Sequence, residues 1–521
     1  MKLARLVPLL VTLLAACEPE VAAPPHPPPP APPAPAPVAI APAPVRLTPD
    51  APFRQSEPAG GPAVELVAPA IQEIRLKNGL RVLLVERHDL PIVSVRVVTT
   101  EGAGDLPGLP PGAGSLMGAM LEQGTTTRSA LQISDAFEAL GATHAAWVNW
   151  DAGLAIVKIT TDRLDVALAL LADVVQHPAF PKEELARLRT RRLASAQQEK
   201  NNPGSMGSNA TAAALFGRAH TYGHSIQGTP HDIEQVSRED LLRAHAVLFQ
   251  PKTSAIVVAG DIAKDALRSK LEATFGDWKA VTLPQEKGLG PLRVVAPLVP
   301  KDAKDAPRLV VVDKPGAVQS LVRLAEVGVA ANSPDRDAVT VLNTIFGGMF
   351  SSRVNLNLRE AHAYTYGASS FFDGRHGAGA FVAGANVKAD TTAAAIGELF
   401  KEERAITEEL VSAEELKGAK ESLKLSMPAD FESVESITGE LADLVIYKRP
   451  LDDYATWPTR IEKVTAEEVR KAARAHFHPG KTRVIVVGDR SKIEALLEPL
   501  HLGPELPLDA YGESVTGGVK P

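Results

Sequence analysis

One sequence pattern is written twice in this chain of 521 residues. From Val236 it runs VSREDLLRAHAVLFQPKTSAIVVAGD, and from Val464 it runs VTAEEVRKAARAHFHPGKTRVIVVGD. A constant offset lays Val236, Glu239, Ala244, Phe249, Pro251, Val258, Gly260 and Asp261 on Val464, Glu467, Ala472, Phe477, Pro479, Val486, Gly488 and Asp489. Each copy sets Ser or Thr ahead of an acidic first turn, the N-cap signature of a helix whose apolar residues then recur at helical spacing. Each continues through a Pro turn into a β-branched run that ends at Gly-Asp, a strand signature. A solenoid would repeat every ~20–50 residues. Two copies this far apart mean a duplicated domain, and they direct attention to a site built between the halves.

The length suffices for two domains with cores of their own. A net charge of −7, no Lys/Arg block and few aromatics argue against a nucleic-acid partner. Residues 61–280 form the first domain, a Pro-, Gly- and Lys-rich linker spans 281–306, and 307–503 form the second. Residues 504–521 read as a loose tail. In the first domain, Asn78-Gly79 between two β-branched runs predicts a hairpin, and PIVSVRVVTT predicts another strand. Helices are expected over Ser129–Leu140, from about Leu164 to Val175, and from about Pro181 to Glu199.

The N-terminal stretch carries its own signal. Lys2 and Arg5 form a basic n-region ahead of the apolar run Leu6 to Leu14, which is too short to span a bilayer. Leu14-Ala15-Ala16-Cys17 resembles the bacterial lipoprotein signal, in which the Cys is lipidated and becomes the mature N-terminus; an ordinary secretory signal is the other reading. Glu18, rather than Asp, follows the Cys, which favours the outer membrane facing the periplasm. Residues 18–60, with PPHPPPPAPPAPAP, cannot bury a core and read as an extended tether. Cys17 is the sole cysteine, so no disulfide and no thiolate metal site can form within one chain.

Two further phrases carry chemistry. The first is GAGSLMGAMLEQGTTTRSALQISDAFEALGA, Gly112 to Ala142; the second is TVLNTIFGGMFSSRVNLNLREAHAYTYGASS, Thr340 to Ser370. Together with ELKGAKESLKLSMPADFES, Glu415 to Ser433, they resemble the pitrilysin/insulinase metallopeptidases, or inverzincins, over about Ile74 to Leu500. The resemblance implies an α+β fold: two duplicated processing-peptidase-like domains, each a mainly antiparallel sheet packed with helices. It also implies H-x-x-E-H on the helix ahead of Gly124-Thr125, with both His on one face binding zinc and the Glu activating water. Those positions hold Ser115, Gly118 and Ala119, none of which can ligate zinc or act as a base. The family's third ligand falls near Ala194 or Ser195, and Glu199, the nearest carboxylate, is about a turn away. Leu116, Met117, Met120 and Leu121 still keep an apolar stripe.

Other candidate ligands read as structure. His220 and His224 sit among Gly217, Gly223 and Gly228, so their i, i+4 spacing falls on a loop. His476 and His478, ahead of Pro479, read as strand-end or loop residues without a third ligand. Gly102, Gly104 and Gly108, and the pair Gly347-Gly348, lack the Gly-Lys-Ser/Thr of a phosphate cradle.

In the second half the resemblance assigns Arg359 and Tyr366, with Gly347 and Gly348, to substrate binding; Tyr364 is the alternative tyrosine. An Arg brings fixed donors and a Tyr an O–H suited to a developing oxyanion. Within the family, a vacated zinc motif beside a retained Arg/Tyr implies the inactive member of an unlike pair. That expectation has no cofactor in this chain and zinc in an H-x-x-E-H partner. The peptide or unfolded polypeptide substrate is then shared between the subunits, and a lipid anchor holds the chain in the cell envelope. A peptide-binding scaffold and a self-sufficient peptidase with relocated ligands are the rival readings.

Overall fold

The structure, a computed structural model, describes residues 67–280 apart from 107, and 308–515. The signal at 1–17, the tether at 18–60 and the linker at 281–306 lie outside the described residues.

The first half is built on strands β1 (Gln72–Arg75), β2 (Arg81–Glu86), β3 (Ile92–Thr99), β4 (Thr143–Val148), β5 (Gly153–Thr160) and β6 (Ser254–Gly260). They form one sheet in the order β1-β2-β6-β3-β5-β4, antiparallel except for β2 beside β6. The hairpin expected at Asn78-Gly79 joins β1 to β2. Gly79 takes a φ of 86°, and Asn78 bonds the backbone of Leu80 and of Phe275. Helices α1 (Ala113–Met120), α2 (Ala130–Leu140), α3 (Leu164–Gln176), α4 (Lys182–Glu199) and α5 (Pro203–Phe216) follow the chain. α2, within the helix expected over Ser129–Leu140, begins on a capping box made by Ser129 and Gln132.

The second half repeats the plan with β7 (Leu309–Asp313), β8 (Gln319–Val327), β9 (Ala368–Phe372), β10 (Ala380–Lys388), β11 (Arg483–Gly488) and β12 (Glu505–Leu508). Its order is β12-β7-β11-β8-β10-β9, so five strands of each sheet correspond one to one. The duplicated phrase occupies equivalent places. Ser237 caps the helix Arg238–Leu248 ahead of β6, and Thr465 caps the helix Ala466–His476 ahead of β11.

A continuous apolar strand is expected where both faces of a sheet are covered. RVLLVE and LVVVD are such runs. Val82 and Leu84 face the core beneath α1, α2 and α3, whereas Leu83 and Val85 face the helix Val434–Ile446 from the second half. Reciprocally, α5 of the first half covers Val310 and Val312 on the second sheet. The halves thus exchange a helix, and an arginine holds each one. Arg96 on β3 donates to Thr438 Oγ1 (2.8 Å) and to the Glu435 carbonyl (2.5 Å), while Arg323 on β8 donates to Ser208 Oγ (3.1 Å) and the Gly204 carbonyl (3.4 Å). The hairpin turns meet as well: Asp151, between β4 and β5, accepts from the His376 N–H (3.1 Å) and the Tyr447 hydroxyl (3.2 Å).

Residues 504–515 are not the loose tail expected. β12 adds to the edge of the second sheet, where Pro507 costs no ladder bond that a central strand would need. Beyond it, Tyr511 donates to the Ala196 carbonyl on α4 (3.2 Å), and Glu513 pairs with Arg218 (3.1 Å).

Candidate functional site

α1 carries the vacated motif. Its first turn starts from Gly112 at a φ of 91°, where a Cβ would stand 2.4 Å from the Gln227 carbonyl oxygen. The apolar stripe is in place, since Leu116, Met117, Met120 and Leu121 are all buried. Ser115 is buried, and its hydroxyl donates to the Gly112 carbonyl (3.1 Å). Gly118 lies against the backbone of β4, where a Cβ would stand 2.5 Å from Val148 N and 2.7 Å from the Trp147 carbonyl carbon. Ala119 packs half-buried against the core.

α4 answers with a cation. Arg192 Nη1 donates to Ser115 Oγ (3.3 Å) and to Gln227 Oε1 (2.9 Å), and Nη2 donates to the Ser115 carbonyl (3.2 Å). Ala194 is exposed and Ser195 half-buried on the same helix. A hydroxyl, a glycine, a methyl group and a fixed guanidinium do not fit a zinc ion, because the last repels any metal and the others offer no adequate donors. Sequence reading passed over Arg192. Its signal was helical spacing, since Arg192 lies three residues before Ser195 and therefore on the same face.

The histidines set aside as structure are held by neighbours. The loop residue His220 is buried, accepts from the Tyr222 N–H at Nδ1 (3.0 Å) and stacks on Phe216. His224 donates from Nδ1 to the Ser225 carbonyl (2.9 Å), and burial holds its imidazole below the usual histidine range. His476 sits in the last turn of the helix Ala466–His476, not at a strand end or in a loop, and pairs with Asp335 (2.7 Å). The apolar-periodic pattern simply runs one turn further than the following Pro479 suggests. His478 does lie in a loop, where a hydrogen bond to Glu326 (2.8 Å) raises its pKa.

In the second half, Gly347 and Gly348 end a π-helical turn, Thr344–Gly348. Gly347 is buried beneath β9, with a Cβ position only 2.4 Å from Ser370 N, whereas Gly348 is exposed. A second π-helical turn, Leu356–Ala361, carries Arg359. Its guanidinium lies 4.7 Å over the Phe350 ring and 3.2 Å from Glu360. Buried Asn355 fixes this ledge by donating to the Phe350 carbonyl (2.7 Å) and accepting from the Ala368 N–H at the start of β9 (3.0 Å). The chain turns at Ala363, whose φ of 52° is left-handed. Tyr364 folds back, stacks on His362 and packs against the core. Tyr366 is 93% exposed just ahead of β9, the free edge of the second sheet. The ledge offers guanidinium donors, a phenolic O–H and the exposed rings of Phe350 and Phe371, all groups that can grip a peptide backbone.

The description Insulinase (Peptidase family M16) matches residues 81–227, and Peptidase M16 inactive domain matches residues 235–423. The chain belongs to the M16 peptidase family. Its two M16 domains have the α+β fold expected from the resemblance. A Mycobacterium bovis protein named an uncharacterized zinc protease is 25% identical over 458 residues, covering 85% of this chain and 99% of the relative. A Rickettsia bellii protein of the same name is 23% identical over 364 residues, covering 69% and 84%. Among solved structures, the peptidase M16 inactive domain from Pseudomonas fluorescens superposes with a TM-score of 0.70 at 25% identity, over 80% of this chain and 98% of that one. A protease from Helicobacter pylori, at 19% identity and a TM-score of 0.70 over 81% and 100%, shows the shared M16 fold.

Proposed function

We propose that this M16 homologue is the non-catalytic, substrate-binding partner subunit of a zinc-dependent peptidase. One contrast carries the reading. At the family's metal position the Arg192 guanidinium bonds Ser115 and β4 leaves no room for a side chain at 118, while Arg359 and Tyr366 stand open on the second half. In this reading zinc belongs to an H-x-x-E-H subunit. Arg359 and Tyr366 reach the peptide that the two subunits enclose.

Copurification tests the pairing. A tagged chain drawn from its native envelope is expected to bring down an H-x-x-E-H homologue, and peptide cleavage should require both. Cleavage by the chain alone, abolished by chelator, would restore the self-sufficient reading; a chain that recovers no such subunit is better described as a scaffold.

The same proposal anchors the protein through lipid on Cys17. Among the described residues no helix is long and apolar enough to cross a membrane. With lipid on Cys17 as the anchor, Cys17→Ala is expected to move the protein from the membrane fraction to the soluble fraction. Unchanged sedimentation would rule out lipidation as the anchor.

A further inference from the structure

We propose that Arg192 makes the vacated metal position a receptor for a carboxylate. This rests on the reading above in so far as a peptide passes that position, but the chemistry comes from the guanidinium itself.

A guanidinium carries five N–H donors in a rigid plane. Nη1 directs its two at Gln227 Oε1 and Ser115 Oγ, and Nη2 directs one at the Ser115 carbonyl. The Ser115 hydroxyl gives its own proton to Gly112, so its lone pairs are free to accept. Among the described residues no other group accepts from Arg192. The Nε–H and the second Nη2–H remain, and they form the parallel fork that matches the two oxygens of a carboxylate.

The charge is as incompletely answered as the donors. Its three bonds go to neutral oxygens, and no Asp or Glu among the described residues makes an ion pair with it. The one carboxylate that it feels, Glu199, lies beyond ion-pair distance, and neighbouring Arg191 opposes it. A half-buried cation without a counter-charge gains more from an incoming anion than an exposed one does, because part of its hydration is already lost. Contacts from α1 and from the Gln227 loop also fix the fork in advance, which lowers the ordering cost of binding.

Two parts of a peptide carry a carboxylate, the free C-terminus and an Asp or Glu side chain. The test uses the full-length isolated chain and saturation-transfer NMR titration with three N-acetylated probes. These are tetra-alanine with a free C-terminus, tetra-alanine amide, and Ala-Glu-Ala amide. A carboxylate probe is expected to bind the native chain, and the tetra-alanine amide to bind much more weakly. Which of the two carboxylate probes binds tells C-terminus from side chain. Arg192→Gln should weaken that binding by about 10–100-fold, the worth of a charge-assisted contact. Arg192→Lys, which keeps the charge and loses the fork, should fall between the two. Circular dichroism and melting establish that each variant folds; should Arg192→Gln fail to fold, Arg192→Lys decides. Equal binding by native and substituted chains, or no binding of either carboxylate probe to the native chain, would overturn the proposal. The partner subunit is not needed, so a failure to find one leaves this result intact.

Discussion

Restoring the zinc motif is expected to destabilise the first half rather than to load it with metal. In the chain carrying Ser115→His, Gly118→Glu and Ala119→His, the damage comes chiefly from position 118. A Cβ there stands 2.5 Å from Val148 N and 2.9 Å from Trp147 Cα, and both are backbone atoms that no rotamer change can move. Either α1 or β4 must shift, although the residues on both sides of α1 are closely packed. Overpacking of this kind costs about 1–3 kcal/mol, and burying a carboxylate without partners adds at least as much. The better helix propensity of a non-glycine residue returns only about 1 kcal/mol. The net expectation is about 1–5 kcal/mol, or roughly 2–20 °C in Tm for a half of this size. An imidazole at 115 would also meet the Arg192 guanidinium, which repels the metal it is meant to hold. Calorimetry and elemental analysis check both statements, with Gly118→Ala separating the clash from the charge. A triple variant that melts like the native chain and holds one zinc would show that the site is only dormant.

The duplication, the hairpin at Asn78-Gly79 and the duplicated helix caps were legible because each has a local cause. Ser237 and Thr465 cap helices by their own hydroxyls, and RVLLVE shows no alternation because both its faces are covered. What covers the second face was not legible. α5 reads PGSMGSNATAAALF, with small residues rather than an apolar stripe, and it packs on the other half because Gly207 lets the Leu321 side chain approach. Only its start, Asn202 at the N-cap ahead of Pro203, carries a local helix signal. The four residues of β12, one of them proline, were equally silent, because an edge strand can be recruited by a sheet that already exists.

That positions 115, 118 and 119 hold Ser, Gly and Ala is residue identity at fixed spacing, which sequence reports directly. The contact of Arg192 with Ser115 was not legible, because Arg192 stands in an arginine-rich helix and only the fold turns it toward Ser115. The π-helical turns around Gly347 and Arg359 shift the hydrogen-bond register without requiring any particular residue. They decide which side chains face outward, and spacing along the chain cannot. Burial separates the two tyrosines that sequence left open, with Tyr364 packed inward and Tyr366 free.

Tyr366→Phe is expected to lower turnover of the reconstituted complex by about 10²–10³, the usual effect of removing one oxyanion donor. The substitution deletes a single O–H from a ring that makes no contact with the core, so stability and pairing should change by less than about 0.5 kcal/mol. A loss confined to kcat would mark a bond formed in the transition state. Tyr364→Phe is the internal control: its ring packs against His362, and its hydroxyl should not matter to turnover. Arg359→Ala should act differently. The guanidinium offers donors to the ground state as well, so KM should rise by about 10–100-fold along with the fall in kcat. It also leaves Phe350 without its covering cation, which makes Arg359→Lys the gentler variant for separating charge from fork geometry. With a catalytic partner confirmed and both positions substituted, native kinetics would reduce the ledge to a structural element. The open face of β9 would then belong to a scaffold, and only the fold would remain of the peptidase ancestry.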